Sequence, residues 1–235
     1  MKTIRLGVVG FGHRVSTDGG GRGAGLFTQA VEGFDDVLPT AVCDLATDAR
    51  DLAARRFPGI ATFEHYDDML ERSGIDALII GTPATCHAEF SAKALKAGIH
   101  VLSEIPTVYA IEEADQLWQA HQDSNALYMT GSNTNFRGYI DAAVDLKNRD
   151  ILGKPIYVES EYIHDLRSFF EKTPWRKTYE PIRYCTHSLG PMLRLIEEDL
   201  EWVSCFDTGS HLNQEPGQHD FMAALFRTRY PWSDA

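Results

Sequence analysis

The residues in this chain whose types and spacing could do chemistry begin with a backbone feature. Gly10-Phe11-Gly12-His13-Arg14-Val15 follows the apolar run Ile4–Val9, and a second glycine run, Gly19 to Gly23 with Arg22 inside it, precedes the next helical pattern. Glycine at such a turn lets a pyrophosphate approach the main chain and be held by N–H groups at a helix N-terminus, so Gly10, Gly12 and Arg14 are candidate phosphate contacts. Val15 stands where the third glycine of a G-x-G-x-x-G fingerprint belongs. Residues 16–23 read either as a second contact with the phosphate or as a surface insertion. Asp44 follows the apolar run Leu38–Cys43, where a carboxylate accepts both hydroxyls of an adenosine ribose and repels a 2′-phosphate; this predicts NAD over NADP as cofactor. The alternative is that Asp44 caps the helix expected from Thr47. Two further groups lie after apolar runs: Thr82, Pro83 and His87 beyond Ala77–Ile80, and Glu104 and Pro106 beyond His100–Leu102. Last come Tyr184 and His187, spaced i, i+3, with His164 upstream. Histidine titrates near working pH and suits general acid/base catalysis.

The elements that must position these residues alternate. Apolar runs at Ile4–Val9, Leu38–Cys43, Ala61–Phe63, Ala77–Ile80, His100–Leu102 and Leu127–Thr130 read as buried strands. Between them the spacing predicts helices from near Ala24 towards Gly33, Thr47 to Phe57, Tyr66 to Arg72, Cys86 to Ala97 and Ile111 to Gln122. Six such alternations predict an α/β, doubly wound parallel sheet over residues 1–131. Parallel crossovers are right-handed, so the loops after these strands open on one edge, where ligands bind. After Gly131 the pattern changes. A helix from about Tyr139 to Arg149, an alternating strand Ile156–Ile163, a polar and aromatic loop His164–Pro181, a helix Ser188–Glu197 and strands Trp202–Phe206 and Phe221–Arg227 predict an α+β domain over 132–235 with a mainly antiparallel sheet. The turn Gly190-Pro191 is expected to break the helix there.

The chain's 235 residues suffice for one large domain, or for one complete domain plus part of another. A net charge of −12 without any Lys/Arg run argues against nucleic acid or an acidic membrane as partner. Cys43, Cys86, Cys185 and Cys205 have neither disulfide-framework nor metal-knuckle spacing, so no metal is expected. The N-terminal apolar run is too short for a signal peptide, and a cytoplasmic location is the expectation.

The TP-x3-H loop at Thr82-Pro83 and His87, the run ALKAGIHVLSEIP ending at Pro106, and the turn GKPIYVES from Gly153 together resemble the Gfo/Idh/MocA oxidoreductase family. The resemblance covers nearly the whole chain. It implies a Rossmann domain binding NAD, with NADP less favoured, and hydride transfer at a carbinol carbon of a sugar, inositol or related polyol. Contacts to the cofactor are then assigned to Gly10, Gly12, Arg14, Asp44, Thr82, Pro83, His87 and Glu104, and catalysis to His187 and Tyr184. Family dehydrogenases carry Glu-Lys-Pro, with the lysine transferring the proton, where this chain has Glu104-Ile105-Pro106. The two aspartates that flank the family's second-domain histidine are missing around His187. The local sequence Tyr184-Cys-Thr-His187-Ser-Leu-Gly-Pro191 resembles instead the TH-x-LGP turn of the family's glycosidase branch, which implies transient oxidation, elimination and water addition as the alternative. A non-catalytic nucleotide- or sugar-binding protein is the other reading. Family members continue further, so the tail RTRYPWSDA predicts an incomplete second sheet whose edge a partner subunit covers, and a homo-oligomer is expected.

Overall fold

The structure is a computed structural model that describes residues 3–12, 21–171, 173, 176–177, 179–212 and 218–229. Its contacts divide into two compact units, Met1–Gly131 and Ser132–Ala235.

In the first unit β1 (Ile4–Val9), α1 (Arg22–Gly33), β2 (Val37–Cys43), α2 (Thr47–Arg56), β3 (Ala61–Phe63), α3 (Tyr66–Arg72), β4 (Ala77–Ile80), α4 (His87–Lys96), β5 (His100–Ser103), α5 (Ile111–Gln122) and β6 (Tyr128–Thr130) alternate along the chain. All six strands pair in parallel, in the order β3-β2-β1-β4-β5-β6. The strands read as nearly continuous apolar runs because both faces of the sheet are covered. Leu6, Val8, Val42 and Ile79 pack with Phe11, Ala24, Phe27 and Ala53 on one face. On the other, Val9, Cys43, Leu78, Ile80 and Val101 pack with Met69, Leu95 and Leu117. The side-chain period of two divides each strand between these cores. Helix α4 ends where glycine allows it: Gly98 has φ +75°, its N–H bonds Leu95 O at 2.9 Å and Ile99 N–H bonds Ala94 O at 2.9 Å, closing a Schellman turn. Strand order reverses between β1 and β4, so the loops after these two strands diverge and leave a crevice at their carboxyl ends.

In the second unit a 3₁₀ turn (Asn133–Phe136), α6 (Gly138–Asn148), a 3₁₀ turn (Pro181–Tyr184), α7 (Thr186–Ile196), β7 (Leu200–Asp207) and β8 (Met222–Thr228) follow in order. β7 and β8 form a two-stranded antiparallel ribbon. Two expectations are corrected here. Ile156–Ile163 is not a strand: it joins no ladder among the described residues, because alternation records which side chains want burial and says nothing of a backbone partner. It lines, with α7 and β8, a cavity of about 810 Å³. Gly190-Pro191 does not break the helix either; both residues lie inside α7. Proline there lacks only the N–H that would bond the His187 carbonyl, and one lost bond does not end an amphipathic helix whose other turns are made. Gly190 belongs to the packing, since a Cβ on it would meet Asn135 Oδ1 at 2.3 Å. No helix among the described residues is long and apolar enough to cross a membrane.

Candidate functional site

The carboxyl edge of the first unit's sheet collects its sequence-predicted residues. Gly10 (φ +79°) and Gly12 (φ +69°) turn the chain out of β1 in a conformation that L side chains rarely adopt. A Cβ on Gly10 would stand 2.7 Å from the main chain of Gly81 and Thr82, at the end of β4. The expected departure at Val15 is corrected by the structure. Gly21 N–H bonds the carbonyls of Phe11 and Gly12 at 2.9 and 2.8 Å, so the chain returns at Gly21 to the point it left at Gly12. Setting aside the eight residues 13–20 leaves Gly10-Phe11-Gly12-Gly21-Arg22-Gly23, a complete G-x-G-x-x-G. Gly23 fills the role of the third glycine: a Cβ on it would lie 2.2 Å from Gly10 O and 3.1 Å from Gly10 C, so only glycine lets α1 approach β1 this closely. Arg14 lies outside the described residues, as do residues 16–20 of the expected insertion.

Asp44 stands 21 residues beyond Gly23, close to the separation the fingerprint requires. Its Oδ2 accepts Gly12 N–H at 2.8 Å and its Oδ1 accepts Ala46 N–H at 2.9 Å. The carboxylate therefore ties the glycine turn to the end of β2, while each oxygen keeps a second acceptor direction for a ribose hydroxyl. Thr82 and Pro83 form the loop after β4. His87, at the start of α4, is 1% exposed. Its Nδ1 lies 2.7 Å from Pro106 O and its Nε2 2.9 Å from Thr82 O, so the imidazole braces the β4 loop against the β5 loop from within. Glu104 N–H extends the β4–β5 ladder to Ile80 O at 2.9 Å. Its Oε1 accepts from Arg22 Nε at 2.5 Å. Ile105, at the position of the family's lysine, is 3% exposed and packed inward.

The edge fits a dinucleotide. The cradle made by Gly10, Gly12 and Gly23 is space that any side chain would fill, and α1 opens with no side-chain cap and no acidic residue in its first turn. Both features favour a pyrophosphate at the helix N-terminus.

In the second unit Tyr184 and His187 come together, with ring centroids 5.4 Å apart. The 3₁₀ turn ends at Tyr184 and α7 begins at Thr186, which sets the two side chains on successive turns. Three neighbours that sequence reasoning missed orient them. Thr134 Oγ1 lies 3.2 Å from His187 Nδ1. Arg176 Nη2 donates to Tyr184 Oη at 3.1 Å, with its guanidinium 5.3 Å from the ring centroid. Tyr162 stacks beside both, 4.6 Å from His187 and 6.2 Å from Tyr184. Burial pushes the Tyr162 phenol up, with Tyr184 adding to the rise and Arg176 and Arg137 opposing it. Tyr162 is thus held as a neutral wall. His164, 6.2 Å from Tyr162, stands at the border of this cluster. Because Arg176 occupies a lone pair of Tyr184, the phenolic proton is directed elsewhere, and the arrangement can give a proton from Tyr184 and exchange one at His187.

Comparison with known proteins finds both sequence relatives and solved structures similar to this chain. A curated relative from Shewanella pealeana described as a glycosyl hydrolase family 109 protein is 27% identical over 210 residues, covering 82% of this chain and 44% of the relative. One from Solibacter usitatus of the same description is 29% identical over 229 residues, covering 88% and 49%. The chain thus spans about half the length of these relatives. Among solved structures, scyllo-inositol dehydrogenase from Lactobacillus casei with bound NAD(H) and scyllo-inositol superposes with a TM-score of 0.79 at 21% identity, covering 97% of this chain and 66% of that one. The WlbA dehydrogenase from Bordetella pertussis in complex with NADH and UDP-GlcNAcA superposes with a TM-score of 0.82 at 20% identity, covering 97% and 64%. These likenesses show the fold. The family model described as the oxidoreductase family, NAD-binding Rossmann fold, matches residues 4–132. That match spans more than half of the sequence, and the chain belongs to the Gfo/Idh/MocA oxidoreductase family.

Proposed function

We propose that this protein oxidises or reduces a carbohydrate at one carbinol carbon, with NAD as the hydride carrier and Tyr184 and His187 as the proton carriers. NAD, when bound, supplies a two-electron hydride acceptor. Gly10, Gly12, Asp44, Thr82, Pro83 and Glu104 would hold it, and His87 would keep the last two loops in register. The observation that carries the reading is the oriented pair Tyr184 and His187 in a chain whose family lysine is replaced by the buried Ile105. Removing a hydride from a carbinol carbon requires its O–H proton to leave in step, and isoleucine has no group to take it. His187, steadied by Thr134, takes that proton in oxidation and returns it in reduction; Tyr184, its oxygen gripped by Arg176, hydrogen-bonds the same oxygen in both directions. The exposed face of Tyr162 offers an apolar wall for the C–H face of a sugar ring.

A second reading has its own support. The curated relatives are described as glycosyl hydrolases, and a phenol whose proton is turned outward suits protonation of a leaving aglycone oxygen. On that reading the same oxidation acidifies a neighbouring C–H, His187 removes that proton, Tyr184 protonates the departing aglycone oxygen, water adds to the resulting double bond, and return of the hydride restores the carbinol. A cytoplasmic location and a homo-oligomer complete the proposal; the four free cysteines accord with a reducing compartment.

Both readings are tested with one set of variants. The parent is incubated with NAD and a panel of inositols and sugars, following NADH absorbance, and with nitrophenyl glycosides, following nitrophenol release. His187→Ala and Tyr184→Phe should each retain NAD binding and lose on the order of 10²- to 10⁴-fold in rate in whichever assay the parent is active. Full activity in His187→Ala sinks the assignment. A parent that binds NAD but is silent in both assays turns the conclusion to a binding protein.

A further inference from the structure

We propose that Arg22 is a pyrophosphate-binding residue of the cofactor site and that Glu104 is the residue that positions it; the inference rests on the NAD reading above. Arg22 is the first residue of α1 and lies between the glycines of the completed fingerprint, so its Cα belongs to the phosphate turn itself. A helix N-terminus carries partial positive charge and favours anions. This one instead begins with an arginine, has no acidic residue in its first turn, and leaves the N–H groups of Arg22 and Gly23 without a partner among the described residues. A cation placed there is unfavourable unless an anion accompanies it.

Glu104 supplies one anion, from a loop 82 residues away, but in a manner that leaves room for a second. Arg5 and Asp76 show what a closed pair looks like in this protein: Nε and Nη2 donate to the two carboxylate oxygens at 2.9 Å each, fork to fork. Arg22 gives Glu104 only its Nε, and the other Glu104 oxygen accepts the N–H of Ile105 at 3.3 Å. Both terminal amino groups of Arg22 therefore have no partner among the described residues. Burial is unequal in the same sense, since the Glu104 side chain is 14% exposed and that of Arg22 is 50% exposed. The carboxylate is the fixed end and the guanidinium fork the presented one. A planar fork with free N–H groups, preorganised at a glycine turn beside unbonded helix amides, matches a phosphate oxygen pair and would bind it bidentately. On this account Glu104 acts on the cofactor through Arg22.

The test is calorimetric titration of the full chain with NAD, ADP and adenosine, comparing the parent with Arg22→Gln, Arg22→Lys, Glu104→Gln and the double variant Arg22→Gln/Glu104→Gln. Thermal midpoints without ligand establish that each variant is folded. Arg22→Gln should weaken NAD and ADP about 10- to 100-fold, the worth of one charge-assisted contact, and leave adenosine within about twofold. Arg22→Lys should recover part of the loss, because it restores the charge without the fork. Glu104→Gln should weaken the same two ligands less, and the double variant should be no worse than Arg22→Gln by more than about twofold, because the two act as a unit. Unchanged NAD affinity in Arg22→Gln, or an equal loss for adenosine, overturns the inference while the cofactor reading stands. A parent that binds no NAD removes the reading and the inference together.

Discussion

Gly23→Ala should destabilise the protein far more than its single added methyl suggests. The new Cβ would stand 2.2 Å from Gly10 O, 3.1 Å from Gly10 C and 3.3 Å from Val8 Cγ2. The two nearest obstacles are main chain, and no rotamer change can clear them. Gly10 cannot retreat either, because it is packed against the backbone of Gly81 and Thr82. The helix must move outward by about 1 Å, lifting Ala24 and Phe27 from Leu6, Val8 and Val42. Overpacking of this kind costs about 3 kcal/mol, the upper part of the usual range, when backbone is the neighbour. In a chain of 235 residues that lowers the thermal midpoint by about 6–12 °C. Two residues on, Gly25 is exposed on the same helix, and a methyl added to it would meet nothing within 4 Å, so Gly25→Ala is the control. It should gain about 0.5–1 kcal/mol from helix propensity and raise the midpoint by about 1–4 °C. Circular dichroism melts of the two variants read the opposite signs directly. NAD affinity should fall in Gly23→Ala alone. Equal melting of Gly23→Ala and the parent would refute the packing argument and with it the assignment of Gly23 as the third fingerprint glycine.

Two further outcomes follow from buried groups. Cys43 is held by burial with its thiol pushed up to about 12 from an ordinary value near 9. The unfolded chain then releases this proton at lower pH than the folded one, so stability is full below about pH 9 and falls as pH rises towards 12; Tyr66, raised chiefly by burial, acts in the same direction. Urea midpoints between pH 8 and pH 10.5 should fall less steeply in Cys43→Ala than in the parent, and iodoacetamide should label exposed Cys205 while sparing Cys43; identical slopes would remove the role of the thiol. His87→Ala should cost about 2–4 kcal/mol in urea denaturation, because it opens a cavity and removes the imidazole N–H that one of the two facing carbonyls accepts, and should weaken NAD by loosening the loops that carry Thr82 and Glu104. A midpoint within experimental error of the parent would show that the brace contributes nothing.

How much of this was legible depends on whether a residue's role is local. The parallel sheet could be read because burial on both faces writes itself into each strand as an apolar run, and Ile4–Val9 or Ala77–Ile80 needs no knowledge of its neighbours. The fingerprint was half legible. Gly10 and Gly12 stand in sequence order, but Gly23 was hidden by eight intervening residues, and the signal that could have found it was a second glycine run followed at once by a helical pattern. Asp44 reads correctly as the end of β2, yet its bond to Gly12 N–H is invisible in sequence because it joins residues 32 apart. Ile105 is the reverse case: its identity was legible as the loss of a lysine, and only the structure shows that the position faces inward.

The second unit shows where pattern reading runs out and why. Ile156–Ile163 alternates as a strand should, but a strand requires a ladder, and the described residues offer it none. Pro191 reads in sequence as a helix end and instead sits buried within α7, where its cost is the one hydrogen bond that the His187 carbonyl would have accepted. That cost falls four residues back, on the residue assigned the proton chemistry. Thr134 steadies the ring of His187 through Nδ1. Tyr162, Arg176 and Thr134 reach this same cluster from segments separated by up to 53 positions, so the pair Tyr184 and His187 was the only part of it close enough in sequence to be seen. The pair proposed for the chemistry was legible as two side chains three residues apart. What orients these two side chains is contributed by residues whose spacing carries no period at all.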